Sequence, residues 1–142
     1  VPQYQKAVIK SRAATILPLL SSIRQAQETF FLANGDYALS FEDLDIDIPC
    51  THIENTDMAV CGEDWVIDLL AEKLIPGPSA YKVGAYFCPG KAAEDPQSCE
   101  QGIGRELYYN ALYHKGREAN TITCHGQTDL GKSICQGTQT TL

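Results

Sequence analysis

Apolar positions recur with a helical period over the first thirty residues. They are spaced alternately four and three residues apart and comprise Ile9, Ala13, Ile16, Leu20, Ile23 and Phe30, with Gln27 in the same series. This spacing places all of them on one face of an α-helix, and Asn34-Gly35 supplies a left-handed stop. The sequence therefore predicts a helix over residues 2 to 33. A bend is expected at Pro18, which removes the amide that would pair with the carbonyl of Ala14.

The predicted helix is long for a domain of this size. At 1.5 Å per residue, residues 2 to 33 span about 48 Å, which exceeds the expected diameter of the body. We therefore expect one end of the helix to extend beyond the body, and we assign the N-terminal end to this role.

Four segments in the second half have the apolar and aromatic content of strands. They are residues 65 to 70, 81 to 87, 107 to 113 and 117 to 124. Proline and glycine residues separate them, and Gly102-Ile103-Gly104 is interpreted as a turn. No second helical pattern is present to connect parallel strands. The sequence predicts an α+β fold in which one long N-terminal helix packs on an antiparallel sheet of about four strands.

The segment after the helix stop is rich in acids. Residues 40 to 43 read Ser-Phe-Glu-Asp, a capping-box pattern that predicts a short helical turn. A calcium loop that begins at Asp43 would require glycine at its sixth position, where Ile48 stands. An extended segment with Leu44, Ile46 and Ile48 turned inward explains the same residues without a metal.

Charge is distributed unevenly along the 142 residues, whose formal net charge is -7. Residues 1 to 27 contain four basic and no acidic residues, whereas residues 28 to 72 contain twelve acidic and no basic residues. The acidic excess argues against a general nucleic-acid-binding surface. The chain thus has a basic N-terminal arm and an acidic body, although ordinary solvated faces account for both segments.

Six cysteines form three sequential pairs, each pair eleven residues apart: Cys50 and Cys61, Cys88 and Cys99, and Cys124 and Cys135. The close pairs of zinc sites and the C-x-x-C redox motif are both missing from the sequence. Sequential disulfides are therefore favoured, although six cysteines allow fifteen connectivities. Such bridges indicate an oxidising compartment, so we expect an exported protein that has lost an N-terminal segment.

Signals of catalysis are missing from the sequence. His52, His114 and His125 lack metal-ligand spacing, and no phosphate-binding loop or nucleophile elbow occurs. We therefore predict no catalytic residues, no cofactor and no metal. Tyr108, Tyr109 and Tyr113 would form an aromatic platform for a sugar or single-stranded nucleic acid, or would pack in the core.

The first fifty residues resemble bacterial type IV pilins. Residues 1 to 12, VPQYQKAVIKSR, are similar to the segment that follows the membrane-spanning half of the pilin N-terminal helix. Residues 34 to 37, NGDY, and residues 40 to 49, SFEDLDIDIP, resemble the end of that helix and the following loop. Beyond Cys50 the resemblance lies in the architecture alone, with Cys124 and Cys135 placed like the C-terminal disulfide loop of many pilins.

The resemblance implies a single pilin-like domain over residues 1–142, with the helix at 1–33, an acidic αβ-loop region at 34–80, and strands with a C-terminal disulfide loop at 81–142. It also implies a leader cleaved and N-methylated by a prepilin peptidase, and an apolar stretch that anchors the subunit in the inner membrane before assembly. Helices would bundle in the core of an extracellular filament. The expected contacts with other copies are Pro2, Tyr4, Lys6, Ile9 and Ala13, and the expected helix–sheet core is Ile16, Leu20, Ile23 and Phe30.

The function implied is that of a structural subunit of an extracellular type IV pilus, which supports adhesion, twitching motility or DNA uptake. Its partners would be other copies of the chain, the pilus assembly machinery and the inner membrane. One alternative is the pseudopilin of a type II secretion system, although the Cys124 and Cys135 loop favours a pilin. Another alternative is a minor tip pilin that binds a glycan or DNA.

Overall fold

The computed structural model describes residues 3–69, 82–92, 94, 103–109, 120–136 and 140–141. Two N-terminal helices, α1 (Gln3–Ala13) and α2 (Leu17–Asn34), are followed by a 3₁₀ turn at Phe41–Asp43. The remaining elements are β1 (Thr51–His52), β2 (Met58–Cys61), β3 (Trp65–Asp68), β4 (Lys82–Phe87), β5 (Ile103–Tyr108), β6 (Thr121–Gly126), α3 (Asp129–Cys135) and β7 (Thr140–Thr141).

The predicted N-terminal helix is present, but it is interrupted rather than bent. Pro18 lies in the first turn of α2, where its missing amide is tolerated. The carbonyl of Ala14 instead accepts the amide of Leu17 at 3.2 Å, and the hydroxyl of Thr15 donates to the carbonyl of Arg12 at 2.7 Å. Residues 14–16 therefore form a turn between two helices.

The stop of α2 is as predicted. Gly35 has a φ of 77°, in the left-handed region that glycine adopts without strain, and its amide donates to the carbonyl of Phe31 at 2.7 Å.

The sheet is antiparallel throughout, and its strands follow one another in chain order from β1 to β7. The predicted antiparallel arrangement is confirmed, but the described residues contain seven strands instead of about four. The prediction that residues 102–104 form a turn is also wrong, since Gly104 lies within β5, opposite Tyr86 and His125. The predicted strand at 107–113 lies mostly outside the described residues.

A third helix, α3, occupies the C-terminal part of the chain, where no helix was predicted. Its first turn is capped by Thr128, whose hydroxyl accepts the amide of Gly131 at 3.0 Å. The helix has only seven residues, so its sequence contains too few turns to display a period.

The buried side of α2 packs on one face of the sheet. Ile16, Leu20 and Ile23 are buried there, and the sheet contributes Cys61, Trp65, Ile67, Val83, Ala85, Phe87, Ile103, Leu107 and Ile122 to the same cluster. On the opposite face a smaller cluster forms around Val66 and Ala92. The helices therefore cover one side of the sheet, and the loop after β4 covers part of the other.

The acidic segment after α2 also contributes to the core. The hydroxyl of Ser40 accepts the amide of Glu42 at 3.1 Å and starts the 3₁₀ turn, as predicted. Leu44 is buried, Ile46 packs against the core, and Ile48 is half-buried. The apolar residues of the acidic alternation thus turn inward.

Two disulfides are present among the described residues. Cys50–Cys61 joins the residue before β1 to the end of β2, and Cys124–Cys135 joins β6 to the end of α3. Both were favoured by the sequence. Cys88 is also disulfide-bonded, and its expected partner, Cys99, lies outside the described residues.

Candidate assembly surface

One face of α1 is exposed to solvent. Tyr4 and Val8, one helical turn apart, are 79% and 40% exposed, and Ala7 and Ser11 on the same side are also exposed. We call these four residues the arm face. Large apolar side chains in solvent at helical spacing are what a helix presents when it binds a partner by that face.

Of the two lysines of α1, Lys10 borders the arm face, whereas Lys6 lies one turn earlier on the side of Ile9 and Ala13. Lys10 is exposed and Lys6 is half-buried. Within the part of the chain that the structure describes, neither lysine forms an ion pair or a side-chain hydrogen bond. The arm therefore presents apolar side chains next to two uncompensated positive charges.

The opposite side of α1 packs on the body. Ile9 is half-buried and lines an apolar cavity of about 200 Å³ with Phe87, Ile103, Leu130 and Ile134. Ala13 is completely buried in the core, which corrects the expectation that it contacts a neighbouring subunit. The helical period identified Ile9 and Ala13 as members of one apolar stripe. It does not distinguish packing within the subunit from contact with another subunit.

An ion pair fixes the end of α1 to the sheet. Arg12 Nε donates to Asp64 Oδ2 at 3.1 Å, and Arg12 Nη2 also bonds Asp64 Oδ1. The amide of Gly90 donates to the same carboxylate at 2.9 Å, and Trp65 Nε1 donates to the carbonyl of Arg12 at 3.4 Å. Asp64 thus joins α1, the turn between β2 and β3, and the loop after β4.

The pKa of Asp64 reflects these contacts. Burial alone raises it, but the hydrogen bonds from Arg12 and from the amide of Gly90, with the positive charge of Arg12, hold the pKa below its ordinary value. The hydrogen bond and charge of Asp64 in turn raise the pKa of Arg12. Arg12 is consequently engaged within the subunit, unlike Lys6 and Lys10.

A groove lies between the C-terminal half of α2 and the segment at residues 43–46. It has a volume of about 490 Å³, and its lining includes the apolar side chains of Ala26, Phe30 and Ile46. Asp43 and Asp45 are exposed at its acidic rim. We call this feature the acidic groove. Phe30, expected to face the sheet, is only half-buried at the core edge and lines this groove instead.

The remaining predicted residues are placed as follows. Ile16, Leu20 and Ile23 are at most 2% exposed in the helix–sheet core. Pro2 lies outside the described residues. The acidic groove was not predicted, because it forms between segments that only the chain reversal after Gly35 brings together.

The prediction of an aromatic ligand platform is wrong for one of its three tyrosines. Tyr109 is completely buried, with its ring centroid 4.5 Å from that of Tyr37. It is therefore a core residue and cannot stack on a ligand. The side chain of Tyr108 and the whole of Tyr113 lie outside the described residues, so the glycan or DNA partner remains a prediction.

A polar cluster occupies the sheet face that α2 does not cover. Lys82 Nζ is 2.7 Å from Glu106 Oε2, and His125 Nε2 is 3.5 Å from Glu106 Oε1. The hydroxyl of Thr123 is 3.2 Å from the same His125 nitrogen. Because Thr123 and Glu106 approach the same ring nitrogen, the cluster lacks the relay geometry in which one nitrogen takes a proton while the other is oriented.

Within the described ranges, no group of three or more His, Cys, Asp or Glu side chains is arranged to hold a metal ion. No helix in those ranges combines the length and apolar character of a membrane span. Comparison of the chain with protein-family models, with curated proteins and with solved structures gave no match. The surfaces described above therefore provide the basis for a functional proposal.

Proposed function

We propose that this chain is the structural subunit of an extracellular type IV pilus filament and that it assembles through its N-terminal helix. The observation that carries the proposal is the division of α1 into two sides. One side is held to the body by Ala13 and Arg12, whereas the other exposes Tyr4 and Val8. A subunit that polymerises through a helix needs such a division, because the helix must be fixed to its own body and open to a neighbour.

The rest of the architecture agrees with a pilin. A long N-terminal helix lies on one face of an antiparallel sheet, and a disulfide closes the C-terminal loop between Cys124 and Cys135. The sequence of the first fifty residues resembles pilins in the segment that forms this helix and the following loop. The fold and the sequence resemblance both support the proposal.

The proposal includes a route to the filament. An apolar segment before residue 1 would hold the subunit in the inner membrane, with Lys6 and Lys10 close to the membrane surface. The assembly machinery would then insert the subunit into the filament. Disulfides such as Cys50–Cys61 are suited to the oxidising conditions outside the cytoplasm. The assembled filament would support adhesion, twitching motility or DNA uptake.

Val8→Asp tests this proposal. A charge at this position would be solvated in the free subunit but buried without a partner in a helix bundle, so we expect filaments to be lost. Leu39→Asp is the matched control, since Leu39 has the same 40% exposure as Val8 but lies outside α1. Filaments would be counted by electron microscopy of cells that produce each full-length variant.

The circular dichroism and melting temperature of both purified variants should match those of the parent chain. Normal filaments from the Val8→Asp variant would refute assembly through the arm face. Ile9→Asp is a poorer test, because Ile9 also packs within the subunit.

A further inference from the structure

We infer that the acidic groove of one subunit receives the α1 arm of a second copy of this chain. This inference rests on the proposed function and deepens it, because it names the surface of the neighbour that the arm contacts.

The surfaces of the groove and the arm are chemically complementary. The groove has an apolar lining from Phe30, Ile46 and Ala26, and a volume of about 490 Å³. Sites of ~300–1,000 Å³ hold whole small molecules, so this groove has room for protruding side chains of a helix. Tyr4 and Val8 project from the arm one turn apart, which is the spacing of anchors in helix-in-groove recognition.

The charges of the two surfaces are opposite. Lys10 lies beside the arm face with Lys6 one turn before it, and Asp43 and Asp45 lie at the groove rim. None of these four side chains has an ion-pair partner within the ranges described. A contact between arm and groove would bring Lys10 to the acidic rim and Lys6 near to it. Complementary charges of this kind guide association and select the correct register.

The positions of the two surfaces favour a chain of subunits over a closed pair. The arm face lies on α1 and the groove on the C-terminal half of α2, so the two surfaces are different patches of the subunit. A contact between two different patches is heterologous, and it propagates unless a rotation closes a ring. Repetition of this contact would therefore generate a helical filament.

Charge reversal provides the test. We would compare the 142-residue chain with Lys6→Glu/Lys10→Glu, which has an acidic arm, and with Asp43→Lys/Asp45→Lys, which has a basic groove. Glu54→Lys/Glu94→Lys is the net-charge control for the groove variant, because it changes the net charge by the same amount at two exposed glutamates that do not line the groove. Sedimentation velocity at low and high salt would report self-association, and melting temperatures would report folding.

We expect the parent and control chains to self-associate at low salt and to dissociate at high salt. Each reversed variant alone should associate on the order of tenfold or more weakly, because its arm and groove carry like charges. A mixture of the two reversed variants should associate again, because each acidic arm then meets a basic groove and each basic arm meets an acidic groove.

Three results would overturn the inference. They are the absence of salt-dependent association of the parent chain up to about 1 mM, equal association of parent and reversed variants, or failure of the mixture to recover. A fourth result would also overturn it: association of the parent chain only after a divalent cation is added would identify a metal at the acidic rim and exclude the arm as the occupant.

The same variants in cells separate this inference from the proposed function. Filaments from the parent chain that persist unchanged in both reversed variants would leave the pilin proposal intact and refute the arm–groove contact. A parent chain that forms no filaments in cells, but whose reversed variants still recover on mixing in solution, would refute the pilin proposal and retain the contact.

Discussion

Gln27 connects the long helix to the loop that follows it. Its side chain is completely buried, and its amide group bonds both backbone groups of Ala38: Nε2 donates to the carbonyl at 3.0 Å, and Oε1 accepts the amide at 2.7 Å. Nε2 also donates to the hydroxyl of Tyr109 at 3.3 Å. A single polar side chain therefore fixes the chain reversal on which the acidic groove depends.

Gln27→Leu should destabilise the protein by about 1–3 kcal/mol, because the buried amide and carbonyl of Ala38 would lose their partners. Urea denaturation at neutral pH would measure the change. Gln25→Leu is the control, since Gln25 is exposed on the same helix. Equal unfolding free energies for the two variants would show that the buried hydrogen bonds of Gln27 contribute nothing.

Asp64 should make stability depend on pH in the acid range. Its pKa is lower in the folded protein than in the unfolded chain, so the unfolded chain binds the proton first as pH falls. The contribution of Asp64 is therefore complete above the ordinary carboxyl pKa of about 4 and is lost below it. Asp64→Asn should lose less stability than the parent between about pH 6 and pH 3. Parallel stability curves for the two proteins would contradict this assignment.

At the scale of elements, α3 is seated against β6 through a close approach of backbones. A Cβ atom added at Gly126 would overlap the backbone of Gly131 and Lys132. The position therefore requires glycine for space rather than for backbone conformation. The approach lies inside the loop that the Cys124–Cys135 disulfide closes, so packing and covalent bond constrain the same segment.

Gly126→Ala should consequently destabilise the domain by about 1–3 kcal/mol or more, as overpacking does in well-packed cores. Gly104→Ala is the matched control, because its Cβ would meet nothing closer than 3.9 Å in the neighbouring strand. Thermal unfolding of both variants would be compared. A Gly126→Ala variant as stable as the Gly104→Ala variant would show that α3 moves away without cost.

The sequence predicted the elements that have a long period or a specific boundary residue. The apolar stripe through Leu20 and Ile23 identified α2. Gly35 marked the end of this helix, and Pro18 marked the region where the N-terminal helix is interrupted. The strands at β3 and β4 were predicted from continuous apolar content.

The elements that were missed are short. Strands β1 and β7 have two residues each, and α3 has seven, so none repeats its period often enough to be seen. The start of β5 was missed for another reason. Gly104 belongs to a glycine-rich segment of the kind that usually forms turns. Its pairing with β4 and β6 is what makes it a strand residue.

The charges of the whole molecule are unevenly distributed along the chain. The basic arm was evident from the sequence, since residues 1 to 27 contain no acid and the next 45 residues contain no base. The acidic groove was not evident, because residues of α2 and the segment around Ile46 meet only after the loop folds back. Sequence therefore predicted the charges of the arm and of the acidic segment, and the fold determined where those charges lie.

The most direct test of the filament proposal is immunogold electron microscopy, with antibodies to this domain, on source cells and on their sheared surface fraction. We predict continuous labelling along thin filaments, because every subunit of a major pilin exposes the same acidic domain. Antigen retained in the cell envelope, without labelled filaments, would contradict the proposal and would favour a pseudopilin.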